Sequence, residues 1–272
     1  MATAFELDRV SFNYEGIPAL HDLSLSIEHG ERVALVGANG SGKSTLLRIL
    51  DGLYFPFAGS VLFDGEPLTA ERLQSNGSGF AFRRRVAFVL QNPDAQLFNP
   101  TVFDEVAYAP LQLQLTRDEV LRRVNDMLAF MSLEALRDRP PYRLSGGEKK
   151  RVALASVLVL DPEIVLLDEP TAALDPRSQG QVIDLIQQWK GTAKTIITAT
   201  HQLDILEDIA DRVIMLDGGR VLADGTPAQI LAQEELLLQA NLIHAHRHTH
   251  GGVTHSHAHT HRHSHGGHEH EH

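Results

Sequence analysis

The chain has 272 residues, a net charge of −11 and no cysteine. The acidic balance argues against a nucleic-acid surface, which needs clustered cations, and the lack of cysteine excludes disulfides and thiolate metal sites. Its apolar runs are well below the ~18 residues of a membrane-spanning helix, and the N-terminal MATAFELDRV shows no secretory signal. We therefore expect a globular protein compatible with the cytoplasm.

A small antiparallel layer is predicted at the start of the chain, where apolar residues nearly alternate in residues 5–10 and 23–27. Beyond it, short apolar strands alternate with helical patterns, which favours a mostly parallel sheet covered on both faces. Glycine, proline and serine punctuate residues 64–79, which is typical of turns and loops. The other predicted strands are residues 32–36, 60–63, 85–90, 164–167, 195–200, and a hairpin of residues 212–216 and 221–223.

A helical block interrupts this alternation. Apolar residues three or four apart, such as Val120, Val124, Leu128 and Met131, predict helices within residues 101–160. We interpret residues 92–162 as a helical subdomain inserted into a domain of residues 1–235. A helix over residues 178–189 follows, and a last helix starts at Pro227 and ends within residues 236–243.

A phosphate-binding loop lies between the strand at residues 32–36 and the helix that follows it. Its glycines let backbone N–H groups face phosphate oxygens, and the helix N-terminus adds a positive dipole end. Lys43 would pair with the β- and γ-phosphates, and Ser44 would bind Mg²⁺. The alternative, a glycine-rich turn that carries a lysine by chance, fits the flanking strand and helix poorly. The loop residues are Gly37, Ala38, Asn39, Gly40, Ser41, Gly42, Lys43, Ser44 and Thr45.

Two adjacent acids end the apolar strand of residues 164–167. Burying two carboxylates is costly unless a cation or a chemical step uses them. Asp168 fits the Mg²⁺-side acid of phosphate-loop NTPases, and Glu169 is placed to polarise a water for attack on the γ-phosphate. The alternative is a solvated pair at a strand end, which the phosphate loop in the same chain disfavours.

The segment Leu144-Ser145-Gly146-Gly147-Glu148 indicates which class of NTPase the sequence resembles. Together with the two motifs above, it makes residues 1 to about 235 resemble the ABC ATPase family. The resemblance implies an α/β, P-loop NTPase fold with a RecA-like mostly parallel sheet, an antiparallel β layer and an inserted helical subdomain. It also implies that Ser145, Gly146 and Gly147 contact the γ-phosphate held by the opposite subunit, so that ATP lies between two head-to-tail copies. Glu148 stands where glutamine is commoner.

Four more residues match the family pattern in order, and their roles are those that the resemblance implies. Gln91 matches the glutamine that senses Mg²⁺ and the membrane partner, and Asp175 matches the loop that signals across the dimer. His201 matches the histidine that holds the γ-phosphate, and Tyr14 matches the aromatic that stacks on adenine. An isolated histidine or strand tyrosine is more often a packing or surface residue.

The stretch QNPDAQLF, which starts at Gln91, resembles the energy-coupling-factor (ECF) ATPases. These are motors of importers for vitamins and for cobalt or nickel. The resemblance implies transmembrane permease and substrate-capture subunits as partners, at the cytoplasmic face of the membrane. Leu97, Phe98 and Val102 are expected either to form a groove for a partner helix or to pack inside the subdomain.

Two short basic runs are less informative. They are residues 83–85 and residues 149–151, the latter Lys149-Lys150-Arg151. We expect a solvated or structural role for both rather than nucleic-acid binding, because they are isolated on an acidic body without interleaved aromatics.

Residues 244–272 form a different kind of segment. They hold 13 of the 16 histidines and almost no apolar residue, so we expect disorder. The H-x-H repeat places alternate imidazoles on one side of an extended chain, which suits Ni²⁺, Co²⁺, Zn²⁺ or Cu²⁺. A purification tag and an inert spacer are the alternatives. The predicted ligands are His244, His246, His248, His250, His255, His257, His259, His261, His263, His265, His268, His270 and His272.

The sequence thus predicts an ATP- and Mg²⁺-dependent motor of an ECF-type importer, with nickel or cobalt as cargo. A vitamin or zinc importer remains the main alternative. A nickel metallochaperone GTPase would need an N-K-x-D motif, which is absent. ABC ATPases that act on DNA or ribosomes usually carry coiled-coil inserts or duplicated domains, which this chain lacks.

Overall fold

The computed structural model describes residues 2–75, 77–250 and 253–259. The strands are β1 Thr3–Tyr14, β2 Ile17–Glu28, β3 Arg32–Val36, β4 Ala58–Phe63, β5 Glu66–Pro67, β6 Val86–Val89, β7 Ile164–Asp168, β8 Thr195–Thr200, β9 Arg212–Asp217, β10 Arg220–Gly225, β11 His244–His250 and β12 Val253–His259. The helices are α1 Lys43–Leu50, α2 Ala70–Gln74, α3 Ser78–Arg85, α4 Val102–Gln112, α5 Arg117–Phe130, α6 Gly146–Leu158, α7 Pro176–Gln188, α8 Leu206–Ile209, α9 Pro227–Leu231 and α10 Glu234–Gln239. No helix in these ranges is long and apolar enough to cross a membrane.

A six-stranded sheet forms the centre of the fold, in the order β10-β9-β3-β8-β7-β6. All its neighbours pair in parallel except β9 and β10, which form the predicted hairpin. Every residue of β3, β7 and β8 is buried, in agreement with their mostly apolar sequences. Because the strands are parallel, the loops that follow β3, β7 and β8 meet at one edge of the sheet.

The antiparallel sheet has the order β2-β1-β4-β5. Its first hairpin is longer than predicted, since β1 continues to Tyr14 and β2 starts at Ile17. Glu15 and Gly16 both have positive φ, 48° and 89°, as the tightest hairpin turns require. This turn ends β1 so that Tyr14 lies beside the helix of the phosphate loop.

The helical subdomain contains α4, α5 and α6. The predicted apolar stripe of α5 is buried, at Val120, Val124 and Leu128. Of the two alternatives expected for the apolar residues here, Val102 packs in the core, where it is fully buried, whereas Phe98 is 67% exposed. Helix periodicity therefore identified the core positions of α5. The apolar residues Phe98 and Val102, in contrast, divide between the surface and the core.

Two predictions of secondary structure are wrong, the loop over residues 64–79 and the single helix at the end of the domain. Residues 64–79 contain α2 and part of α3, because Thr69 caps α2 by accepting from the Arg72 N–H at 3.3 Å and Phe82 anchors α3 in the core. These helices are too short for a visible apolar period. The single last helix is instead α9 and α10, interrupted at Gln233, whose φ and ψ of −95° and 67° are not helical.

The described part of the histidine-rich segment contains the two strands β11 and β12. Strands β11 and β12 pair antiparallel, with His246 opposite His257 and His248 opposite His255. A period of two residues, which the H-x-H repeat has, is the period of a strand. The predicted ligands between residues 260 and 272 lie outside the described residues.

Candidate active site

The phosphate loop connects β3 to α1 and needs its glycines. Gly42 is the N-cap of α1 with φ 106°, and a Cβ there would lie 2.7 Å from Leu20 Cδ2. A Cβ on Gly37 would lie 2.4 Å from the Leu216 carbonyl oxygen. No acidic residue or side-chain cap occupies the first turn of α1, so its N–H groups are available to an anion.

Lys43 is held across the loop. Its Nζ donates to the carbonyl oxygens of Gly37 at 2.6 Å and Ala38 at 3.2 Å. Burial lowers the pKa of Lys43, while attraction by Glu169 and Asp168 raises it. The ammonium therefore lies between the loop and the two acids, where a phosphate chain would meet it.

Ser44 and Asp168 form the pair expected at a magnesium site. Ser44 Oγ donates to Asp168 Oδ1 at 3.0 Å, which joins the start of α1 to the end of β7. Burial raises the pKa of Asp168, and the Ser44 hydrogen bond and the charge of Arg48 oppose that shift. A hydroxyl and a carboxylate oxygen in contact are a donor set that suits Mg²⁺, so these residues fit the ion.

Glu169 and His201 are also in contact. Glu169 Oε1 is 2.8 Å from His201 Nδ1, and Thr200 Oγ1 donates to Glu169 Oε2 at 3.4 Å. Glu169 is buried and has a φ of 45°, an unfavourable value for a residue with a Cβ, and its N–H donates to the Ala199 carbonyl. The half-exposed His201 ring therefore connects the buried carboxylate to the surface of the site.

Tyr14 lies next to the phosphate-loop helix. Its hydroxyl is 3.1 Å from Thr45 Oγ1, and Arg48 Nη1 donates to the same hydroxyl at 3.4 Å. The ring packs edge-on against Phe12 and Tyr54 at centroid distances of 5.0 and 5.6 Å. The predicted adenine residue is thus partly engaged in packing while it borders the site.

Ser145, Gly147 and Asp175 belong to a second cluster. Ser145 caps α6 in a capping box with Glu148, whose Oε2 accepts from the Ser145 N–H at 2.7 Å. Glutamate therefore serves at the position where glutamine is commoner. A Cβ on Gly147 would lie 2.3 Å from Ser178 Oγ and 3.7 Å from Asp175 Oδ2, so α6 starts against the start of α7.

Asp175 caps α7 by accepting from the Ser178 N–H at 3.1 Å and its Oγ at 2.7 Å. These hydrogen bonds lower the pKa of Asp175. Ser145, Gly146 and Asp175 are exposed. Within the residues that the structure describes, their hydrogen bonds lie in this cluster and none reaches the phosphate loop.

Gln91 is exposed at the end of β6, and Lys150 contacts its backbone. Lys150 Nζ donates to the carbonyl oxygens of Leu90 at 3.1 Å and Gln91 at 3.3 Å. Burial lowers the pKa of Lys150 to about 8, and attraction by Asp168 and Glu169 opposes the shift. Of the two roles expected for this basic run, Lys150 has the structural one, because it is buried and bonded to the backbone. The sequence signal for its burial was its position three and four residues before Ala153 and Leu154, which are buried on the same face of the helix.

The other basic run has a structural role. Arg83 Nη1 donates to Asp51 Oδ2 at 3.0 Å, and Arg85 forms ion pairs with Asp64 and Glu163 at 2.6 and 2.7 Å. These contacts fix α3 against its surroundings, in agreement with the expectation.

Comparison with known proteins identifies the family. The model of the family described as "ABC transporter" matches residues 20–172. The chain belongs to the ABC transporter family. It is 52% identical over 246 residues to the nickel import ATP-binding protein NikO of Rhodobacter capsulatus, covering 89% of this chain and 97% of that protein.

Two further relatives support the same assignment. The chain is 42% identical over 238 residues to the energy-coupling factor transporter ATP-binding protein EcfA of Methanothermobacter thermautotrophicus, covering 87% of this chain and 75% of that protein. The structure of cbiO1 from Clostridium perfringens, part of the ABC transporter complex cbiONQ, has a TM-score of 0.75 and 36% identity, covering 89% of this chain and 96% of that one.

This ABC subunit is therefore an ATPase, and the predicted fold class is confirmed. ABC ATPase subunits of import systems dimerise and pair with membrane components. In the present chain, Lys43, Ser44, Asp168, Glu169 and His201 form a connected set at one sheet edge. That set offers a cationic phosphate site, a magnesium donor pair and a buried carboxylate next to an imidazole, which are the groups that nucleotide hydrolysis needs.

Proposed function

We propose that this chain is the ATP-hydrolysing motor of an ECF-type importer of nickel or cobalt ions, at the cytoplasmic face of the membrane. The observation that supports nickel or cobalt as the cargo is the 52% identity to a nickel import ATP-binding protein over nearly the whole length of both chains. The similarity to cbiO1, part of the ABC transporter complex cbiONQ, is consistent with a motor subunit of such a complex. Substrate choice itself lies in membrane subunits.

The catalytic half of the proposal rests on the contacts around Glu169. Lys43 and the α1 N–H groups bind the phosphates of ATP, and Ser44 and Asp168 hold Mg²⁺, with Gln91 near it. When bound, Mg²⁺ neutralises charge on the β- and γ-phosphate oxygens. Glu169 accepts the proton of the attacking water, and His201 orients that carboxylate through the 2.8 Å contact.

The second half of the site comes from another copy of the chain. Ser145, Gly146 and Gly147 present helix N–H groups at an exposed end of α6, and Asp175 lies beside them. We infer a head-to-tail homodimer in which this cluster closes over the ATP bound to the phosphate loop of the partner. Two nucleotides then lie at the interface, and their binding drives closure.

An apolar groove supports the position of the membrane partner. It has a volume of about 340 Å³ and lies between the central sheet and the helical subdomain. Phe98 and the 41%-exposed Tyr108 line it and contact each other edge-on at 5.0 Å. Leu53 is exposed at the same groove, and Gln96, which borders it, donates to the Ala153 carbonyl at 2.8 Å. We propose that an apolar helix of the permease subunit docks here, next to Gln91.

Metal uptake tests this function directly. A strain that lacks the gene is complemented with the parent chain or with Glu169→Gln, and uptake of Ni²⁺, Co²⁺, Zn²⁺ and a vitamin such as biotin is measured. We expect the parent to restore Ni²⁺ or Co²⁺ uptake. The variant should bind ATP but lose activity by a factor of about 10²–10⁴. Restored uptake of a vitamin or zinc alone would identify the alternative cargo.

The histidine-rich segment has a separate proposed role. We propose that residues 244–272 capture Ni²⁺ or Co²⁺ for the importer, because H-x-H repeats supply imidazoles without thiolates. The β11–β12 register, which sets His246 opposite His257, supports this reading. Calorimetry of the full chain and of a chain ending at Ile243 tests it. Binding should be lost in the shorter chain and should weaken below about pH 6.5, where imidazole is protonated.

A further inference from the structure

Lys150 is a buried ammonium that the catalytic scheme above does not use. It lies on α6 five residues after Ser145, and only 2% of it is exposed. Its Nζ donates to the Leu90 and Gln91 carbonyls at 3.1 and 3.3 Å. A single rigid helix therefore carries Ser145 at one end and, within the same two turns, the group that grips the backbone of Gln91.

Packing alone does not account for a charge at this position. Removing an ammonium from water costs several kcal/mol, and an apolar side chain of similar volume would fill the space without that cost. Two backbone carbonyls and the negative field of Asp168 and Glu169 offset the penalty for Lys150. The charge is thus held on the Gln91 backbone and lies within the electrostatic field of the catalytic acids.

The neighbouring Lys149 provides a natural comparison. Its Nζ lies 2.6 Å from Asp94 Oδ1, so it contacts the same segment three residues further along. That carboxylate is 63% exposed, and ion pairs at the surface contribute little to stability. Helix α6 therefore contacts the segment after β6 at two points, one buried and one at the surface.

We propose that Lys150 is a positioning residue for ATP hydrolysis, which fixes the Leu90–Gln91 backbone to the helix of Ser145. This rests on the proposed roles of Gln91 and Glu169. Through Lys150, movement of Gln91 in response to Mg²⁺ and ATP in one copy is transmitted to the start of α6. That start faces the nucleotide of the other copy, so Lys150 links the two sites of the dimer.

The test compares Lys150→Met, Lys150→Arg and the control Lys149→Met in the full chain. We expect Lys150→Met to lower kcat by about tenfold or more and to raise the Mg²⁺ concentration for half-maximal activity about threefold, with the KM for ATP nearly unchanged. Lys150→Arg keeps the charge and donors and should recover most of kcat. Lys149→Met should stay close to the parent.

Binding provides a readout that does not depend on turnover. A fluorescent ATP analogue without Mg²⁺ should bind all variants equally, whereas the extra thermal stabilisation that Mg²⁺ adds to ATP should be smaller in Lys150→Met. If Lys150→Met is insoluble, Lys150→Gln, which keeps a donor without the charge, is measured against the same criteria.

Any of three results would overturn the proposal and leave Lys150 with a packing role. They are a parental kcat in Lys150→Met, an unchanged Mg²⁺ dependence in that variant, and equal losses of activity in Lys150→Met and Lys150→Arg. Failure of the catalytic scheme itself is distinguished by Glu169→Gln. If that variant hydrolyses ATP at the parental rate, the role of Glu169 is wrong whatever the Lys150 variants do.

Discussion

The phosphate-loop cluster and the Ser145 cluster have opposite kinds of construction. In the first, Lys43, Ser44 and Asp168 are linked by charge or hydrogen bonds across three segments and are largely buried. In the second, Ser145 and Asp175 are exposed helix caps whose bonds are local. One cluster is assembled by the fold of a single chain. The other is preorganised and faces outward, as the proposed homodimer requires.

The largest expected effect removes the cation of the first cluster. Lys43→Ala deletes the group that contacts the Gly37 and Ala38 carbonyls, and the phosphates then lose their main charge partner. We expect ATPase activity to fall by roughly 10³ or more and ATP affinity to fall with it. Equilibrium binding of a fluorescent ATP analogue and steady-state hydrolysis measure both. Unchanged affinity would show that Lys43 is not a phosphate ligand.

The second prediction distinguishes the role of the Ser145 cluster from that of the phosphate-loop cluster. A Cβ on Gly146 meets no atom within 4 Å in the described chain, so Gly146→Ala should fold and bind ATP like the parent. Its activity should nevertheless fall about tenfold or more, because the added methyl group obstructs the partner's nucleotide. Thermal unfolding, ATP binding and ATPase assays check the three parts.

Mixing the two impaired variants tests whether the two clusters act together across the dimer. A dimer of one Lys43→Ala copy and one Gly146→Ala copy contains one site with both defects and one site with none. Activity of the mixture should therefore exceed the sum of the separate activities. If each site lay within one chain, mixing would restore nothing.

The smallest expected effect concerns two acids, Asp51 at the C-terminal end of α1 and Asp175 in the Ser145 cluster. Asp51 ends α1 and is buried, and burial raises its pKa from 3.8 to about 7 although Arg83 opposes the shift. Protonation of Asp51 therefore favours the folded state. The resulting stability is fully present below pH 3.8 and is lost as pH rises through about 7.

Asp51→Asn stays neutral, so its stability relative to the parent should improve by about 1–3 kcal/mol between pH 5 and pH 8. Urea denaturation at several pH values measures this difference. Asp175→Asn is the matched control. Hydrogen bonds lower the pKa of Asp175, so its stabilising contribution is lost only as pH falls below the ordinary range of an aspartate. Its difference from the parent should not change between pH 5 and pH 8.

Local pattern was sufficient for most of the fold and for the phosphate-loop cluster. The buried strands β3, β7 and β8 are short and mostly apolar; Asp168 is the last residue of β7, His201 directly follows β8, and Gly42 follows β3 after a short loop. Because parallel strands bring their carboxyl ends to one edge, the chain order of these motifs predicts their convergence. The short helices α2 and α3 escaped prediction, since a helix of five to eight residues shows too few apolar positions to reveal a period.

Sequence alone determined the residue types that chemistry requires and the order in which the chain presents them. Tertiary structure decided the environment of each one. Lys149 and Lys150 are adjacent and identical in type, yet one reaches the surface and the other is buried against the Gln91 backbone. Phe98 is exposed while Val102 joins the core. The physical reason is that burial and electrostatic field depend on neighbours distant in the sequence, and only packing brings those neighbours together.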